Sequence, residues 1–256
     1  MSRTSWLVAG CVLVIFGNLM ADAWLQVPID SRSVLQAPTF QALLGTDHLG
    51  RSLLWLVPRS TLATLADCVI VFAIAALIGF CAACTSVYWL DRWQDRLLVA
   101  FADGVRSFPA ILAAMVFASL HIPVMLVLAG IVWVPIWRAT RAALAEQFAR
   151  PFVLRARACG LGFSRVMWHE ALPQTWPVIL PSALGAMAEC LAGLAVLEFL
   201  GFGRDLGAPG LGTLASQVVS LGSAIWWVWL PSTLMIGVIV AMFAVGAVSR
   251  TAKEFA

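Results

Sequence analysis

Residues 68–90 carry no formal charge, and residues 107–137 carry none either, with a single histidine among them. The hydrocarbon core of a bilayer is about 30 Å thick, and about 20 helical residues cross it. Runs of this length therefore predict membrane helices. Composition points the same way: 62% of the 256 residues are hydrophobic and 11% are charged, too little polar side chain to cover a water-soluble body of this size.

The second run is too long for one crossing, since 31 residues of helix extend about 46 Å at about 1.5 Å per residue. His121-Ile122-Pro123 near its middle marks a break, because proline lacks a backbone donor and disfavours helix before it. Splitting there predicts an all-α integral membrane protein with six transmembrane helices, at about residues 6–27, 68–90, 99–120, 123–137, 176–200 and 224–248. The amino-terminal run lacks a convincing small-residue cleavage site and reads as a retained first span, not a signal peptide. With both termini cytoplasmic, 12 of the 16 basic residues fall inside and 4 outside. A five-span arrangement separates the charges nearly as well, so length and the proline break decide for six. The chain divides into a first helix with its outer loop (1–61) and a five-helix domain (62–256).

Fifteen of the 16 basic residues are arginine, and the remaining one, Lys253, lies between Ala252 and Glu254. A nucleotide-binding P-loop needs lysine directly after a glycine-rich loop, so the chain has none. The net charge of +3 is too small to suggest nucleic acid as a partner. The cysteines at 11, 68, 81, 84 and 190 fall in or beside apolar runs and read as small buried side chains; the Cys81-x-x-Cys84 pair has no second pair or nearby histidine to make a metal site. His48 and His121 read as lone structural histidines.

Two segments between spans are long enough to have a task. The outer loop, 28–61, contains Gly45-Thr46-Asp47-His48-Leu49-Gly50-Arg51, turn chemistry followed by a half-apolar stretch that suits the membrane surface. The inner segment, 138–173, is the most arginine-dense region, with Arg138, Arg141, Arg150, Arg155, Arg157 and Arg165. Arg150-Pro151 and Gly160-Leu161-Gly162 break it into short helices, and Ser164 is placed to cap one that ends before Pro173. Such a segment is either a cytoplasmic docking surface or a loop that only fixes topology.

This inner segment resembles the cytoplasmic loop of binding-protein-dependent ABC transporter permeases, in which an EAA triplet is followed by three residues, glycine, nine residues and Ile-x-Leu-Pro. Gly160 takes the place of the glycine and Leu172-Pro173 the ending; Ala156 stands for the last alanine of the triplet. Trp133, Arg138 and Arg141 resemble the W-x4-R-x2-R entry to this loop in the peptide and nickel branch of the family, in its second-permease type. Phe152-Val153 and Arg157-Ala158 stand for that branch's Tyr-Val and Arg-Ala. The segment from Gly45 to Arg51 is similar to its G-T-D-x-L-G-R-D, with Ser52 replacing the last aspartate, and Phe199-Leu200-Gly201-Phe202-Gly203 to its F-L-G-L-G. The chain departs from the pattern at Leu154, where the family has the glutamate, at Arg155 and at Glu170.

The resemblance implies half of a pathway formed with a second permease subunit as a heterodimer. A short cytoplasmic coupling helix between spans four and five, around Ser164 and Arg165, would sit on one of two ATPase subunits that bind ATP and Mg; this chain would hold no cofactor. A periplasmic solute-binding protein would deliver the cargo at the bacterial inner (plasma) membrane. Peptide, nickel and metallophore remain open as cargo, with the outer motif and Phe152-Val153-Leu154 leaning toward nickel or metallophore.

Charges inside spans are functional candidates by default. Glu189 and Glu198 lie on opposite faces of the fifth span, at about 100° per residue, and Glu189 is favoured for a pathway or subunit-interface role. Asp67 and Asp103 read as lying near the membrane interface. Two other classes stay in view: an intramembrane enzyme, for which no GxSxG, HExxH or, within a span, paired carboxylates at helical spacing are found, and a stand-alone secondary transporter, for which no internal repeat is found.

Overall fold

The computed structural model describes residues 29–40, 42–120, 122–202, 209–222 and 225–254, with side chains beyond 241 and those of Ala110, Ala118, Leu154 and Arg157 excepted. Within these residues the chain is helical: α1 (Leu53–Tyr88), α2 (Trp93–Ser107), α3 (Ala110–Ser119), α4 (Val124–Ala149), α5 (Pro151–Ala158), α6 (Phe163–Val166), a π-helical segment (Met167–Ala171), α7 (Leu172–Phe199), α8 (Leu211–Leu221) and α9 (Trp226–Glu254). The predicted first span, 6–27, lies outside the described residues.

Three helices are long and apolar enough to cross a membrane: α1, α4 and the continuous run Phe163–Phe199. A fourth is counted if α2 and α3 form one broken span, and α8 and the start of α9 are shorter apolar helices. Six spans were expected, and the described residues establish this smaller number.

Several boundaries move for physical reasons. α1 begins at Leu53, not near 68, so the half-apolar end of the outer loop, 53–61, is the first two to three turns of a helix, and the division at 61/62 falls inside it. Pro58, the sixth residue of this helix, removes one bond of the ladder, the one to the Leu54 carbonyl. The expected third span is two helices bent by 88° at Phe108-Pro109. Proline at 109 disfavours helix at residue 108, and Phe108 is extended at φ −86, ψ 138. α4 runs to Ala149, so Arg138 and Arg141 belong to a helix and not to a loop.

The core sits where α1, α4 and α7 cross. Cys68, Val71 and Ala75 of α1, Val132, Val134 and Trp137 of α4, and Cys190, Leu191 and Leu194 of α7 are all buried in one cluster. A second, smaller cluster lies at the other end of α1 and α4 and is built from Val87, Leu144, Phe148, Val153, Val166, Met167 and Ala171. Buried area of this kind stabilises by about 25 cal/mol per Å² wherever water is the alternative. Of the cysteines, Cys68 and Cys190 are buried as expected, but Cys81 is exposed and Cys84 half-buried: they lie on an outward-facing flank of α1 whose apolar character does not require burial in the bundle.

Candidate functional site

The inner segment folds as two helices around a left-handed glycine. α5 ends in a Schellman arrangement in which the Leu161 N–H donates to Ala156 O at 3.2 Å and Gly160 takes φ +84. A Cβ at Gly160 would meet nothing within 4 Å, so the glycine is required by the backbone conformation and not by crowding. The next helix begins at Phe163 with Gly162 as its cap residue, so Ser164 lies inside the first turn and does not cap it. Nor does this helix stop before Pro173. It continues through the π segment into α7, the wider turn letting the ladder step past Pro173, whose ring would clash with the carbonyl of residue 169 in a regular α-helix.

One side of this loop is built inward and the other outward. Val153, Val166, Met167 and Ala171 are buried in the second cluster, with Phe152, Ala156, Leu161, Phe163 and Leu172 packed on it. Arg155, Gly160, Ser164, Arg165, Trp168 and Pro173 are exposed. The side chain of Arg157 lies outside the described set. Ring contacts stiffen the inward side: Phe163 stacks on Phe148 at 5.1 Å and meets Tyr88 edge-on at 5.0 Å.

The outer motif is the reverse. Thr46, Asp47 and Arg51 are buried, and each bonds within its own loop. Asp47 accepts the N–H groups of Leu49 and Arg51 at 2.9 Å each, and its other oxygen pairs with the Arg51 guanidinium at 2.7 Å. Thr46 donates to Ser33 O and accepts the Gln36 N–H, so the motif ties residues 30–36 to the start of α1. Gly50, at φ +74, would place a Cβ 1.8 Å from Asp30 O, and only glycine fits.

Arg138 and Arg141 tie α4 to α2. Arg141 donates to both oxygens of Asp95, at 3.0 and 2.6 Å, and to Ser86 Oγ at the end of α1. Arg138 pairs with Asp103, one turn below where Trp133 stacks on Phe101 at 6.2 Å. The two fifth-span glutamates separate as their spacing predicts. Glu189 is about half exposed and reaches Arg106 at 3.4 Å. Glu198 is buried, accepting the Thr64 hydroxyl at 3.2 Å and the Gly212 N–H at 2.9 Å, while Thr64 accepts the Leu211 N–H at 3.0 Å. It pins the start of α8 onto α1 and α7.

Residues 68–254 match the family described as binding-protein-dependent transport system inner membrane component. The chain belongs to this family. It is an integral membrane permease subunit of an ABC importer, and not an enzyme. Among its relatives, the oligopeptide transport system permease protein OppC of Lactococcus lactis subsp. cremoris is 26% identical over 99% of this chain and 90% of its own length. The dipeptide transport system permease protein DppC of Haemophilus influenzae is 27% identical over 83% of this chain and 73% of its own. A subunit of the MetNI methionine ABC transporter, solved in an inward-facing conformation, shares the fold with a TM-score of 0.62, at 17% identity, over 79% of this chain and 97% of its own.

Sequence reading of the permease missed the partners of its intramembrane charges. Arg106 had been counted only as a topology marker, and Asp95, Asp103 and Thr64 had been given no partner. A signal was present: α2 carries two aspartates where α4 carries two arginines, and opposite charges on neighbouring spans pair because a lone one is costly. Asp67, expected near the interface, is buried at 3% exposure.

Proposed function

We propose that the permease moves small peptides across the bacterial inner membrane as one of two permease subunits driven by two ATPase subunits, with six spans and both termini cytoplasmic. The observation that carries this reading is the two-sided loop over residues 151–173. Its apolar side is anchored to α1 and α4, and its outward side presents Arg155, Gly160, Ser164 and Arg165 to a partner. An ATPase subunit, holding ATP and Mg, seats on that outward side, and Leu172 and Pro173 mark where the loop becomes the span.

The mechanism follows from continuity. Because the helix from Phe163 runs unbroken into α7, a push on Ser164 and Arg165 displaces α7 as a rigid arm, without first reordering a linker. Arg138 and Arg141 carry the same displacement to α2 through Asp103 and Asp95. Gly45, Thr46, Asp47, Gly50 and Arg51 hold the opposite end still, and Glu198 fixes α8 there. Glu189 faces the pathway or the second permease subunit, and a periplasmic binding protein delivers the cargo.

Peptide is the cargo that the relatives' names favour, since they are oligopeptide and dipeptide permeases. The sequence's lean toward nickel or a metallophore is not shared by the names of these relatives. The test is purification of the chain with its associated subunits, followed by uptake of labelled dialanine into vesicles. Uptake is expected to require ATP and to ignore a collapsed proton gradient. Isolation without an ATPase, with uptake following a proton or sodium gradient, overturns the reading.

A further inference from the structure

Four charged side chains on α2, α4 and α7 form a half-exposed stripe: Asp103 with Arg138, at 58% and 50% side-chain exposure, and Arg106 with Glu189, at 37% and 47%. Glu189 is the one charge between Trp176 and Leu197 in the sequence. It lies roughly 26 Å along the axis from Leu172 and roughly 15 Å from Phe199. Charge so placed is not left against hydrocarbon, where an ionised side chain costs at least about 2.5–3.5 kcal/mol. The lipid-compatible side of α2 lies elsewhere. Trp93 and Leu97, exposed at 67 and 59%, lie on a different side of α2 from Asp103 and Arg106, whereas Phe101 leans on Trp133 of α4.

The two pairs of the stripe are not equally held. Arg138 and Asp103 are in close contact, whereas Arg106 meets Glu189 through a single contact of 3.4 Å. That is longer than the roughly 2.7–2.9 Å of a strong charge-assisted hydrogen bond. The looser pair also sits at the joint: Arg106 is in the last turn of α2, directly before the 88° bend into α3.

We infer that this stripe is the chain's wall of the aqueous pathway, and that the Arg106–Glu189 contact is its movable element, closed in the packing seen here and parted when α7 is displaced. The inference rests on the permease reading. Its wall is electrically balanced, two cations facing two anions, so cargo carrying both signs, as a free peptide does, exchanges for the internal pair without leaving a bare charge behind.

Cysteine accessibility in the assembled transporter tests this in lipid vesicles, against the parent chain as background. Glu189→Cys and Arg106→Cys are expected to react with a hydrophilic cationic thiol reagent about tenfold faster than Leu77→Cys, an exposed position on an apolar flank of α1. Arg106→Cys/Glu189→Cys should cross-link in the resting complex and lose most of that cross-link when ATP and vanadate trap the motor. Reaction no faster than at Leu77→Cys overturns the wall, and equal cross-linking in both states overturns the movable contact. If Glu189→Cys does not assemble, Asp103→Cys carries the accessibility test. ATP hydrolysis is followed in parallel: a complex that hydrolyses ATP while these sites stay unreactive refutes this inference alone, whereas a chain with no ATPase partner refutes the permease reading beneath it.

Discussion

The outer loop around residues 45–52 and the inner loop around 151–173 look alike as sequence, each punctuated by two glycines and carrying arginine, yet they are built oppositely. In the outer loop the charged pair Asp47–Arg51 is buried, and both oxygens of Asp47 are engaged by groups of the loop itself. In the inner loop Val153, Val166, Met167 and Ala171 are buried and the arginines at 155 and 165 face out. Their glycines differ in the same sense. Gly50 is crowded by Asp30 and Gly160 is surrounded by open space, although both have left-handed φ. A motif that satisfies itself holds the fold, and a motif that leaves charge exposed on a rigid base presents a surface.

The contrast breaks first, and hardest, at Asp47. Asp47→Ala leaves Arg51 charged and buried without its carboxylate, and removing one partner of a buried pair costs about 3–5 kcal/mol. Loss of most of the folded protein is expected, read as detergent-solubilised yield and a lowered unfolding midpoint. Asp47→Leu combined with Arg51→Met should recover part of that loss, because no buried charge is left. Recovery of nothing would mean that the carboxylate's bonds to the Leu49 and Arg51 N–H groups dominate over the ion pair. Gly50→Ala comes next, at about 2–4 kcal/mol from left-handed strain together with a clash against backbone that cannot give way; normal thermal stability in this variant would contradict the tight Gly50–Asp30 approach.

Gly160→Val sharpens the comparison from the other side. The backbone pays roughly 1–2 kcal/mol for a β-branched residue at positive φ, with no clash to add. Protein yield should therefore fall little, while the ratio of cargo moved to ATP hydrolysed falls several-fold, since the turn that aims Ser164 and Arg165 is altered. Unchanged coupling would show that the turn is not part of the docking surface.

Much of this was legible beforehand, and the failures share a cause. Apolar runs predicted α1, α4 and α7 because hydrocarbon dictates length and composition directly. Pro123 marked the break before α4, but Pro109 was passed over, and the span predicted across 99–120 is two helices. Helix ends were misplaced wherever a helix leaves the membrane-like stretch: α1 starts 15 residues early and α4 carries on to Ala149, since a polar residue in a helix ends a span without ending the helix. Ser164 fitted the cap pattern, yet Gly162 has the cap position, and only the chain's path past Pro173 decides that. Pairings such as Thr64 with Glu198 are 134 residues apart and depend on how helices cross, which no local pattern encodes.

The smallest effect on the fold is the most informative about the inner loop. Arg165→Ala removes an exposed side chain in the first turn of α6, and such surface changes alter stability by within about 0.5 kcal/mol. If Arg165 serves only to set topology, ATPase capture should be as salt-resistant in the variant as in the parent. If it meets an acidic patch on the ATPase subunit, the variant should dissociate at lower salt, because a rim charge contributes mainly through screened, long-range attraction. Trp168, one helical turn beyond, is exposed at 57% with its ring centroid 5.9 Å from that of Phe80 of α1, and we take its open part as the apolar counterpart. Trp168→Ala should weaken capture at every salt concentration. A surface whose arginine acts through salt and whose tryptophan does not is one built for a partner, and that separation is what the outer loop, with its charges already spent, has no means to show.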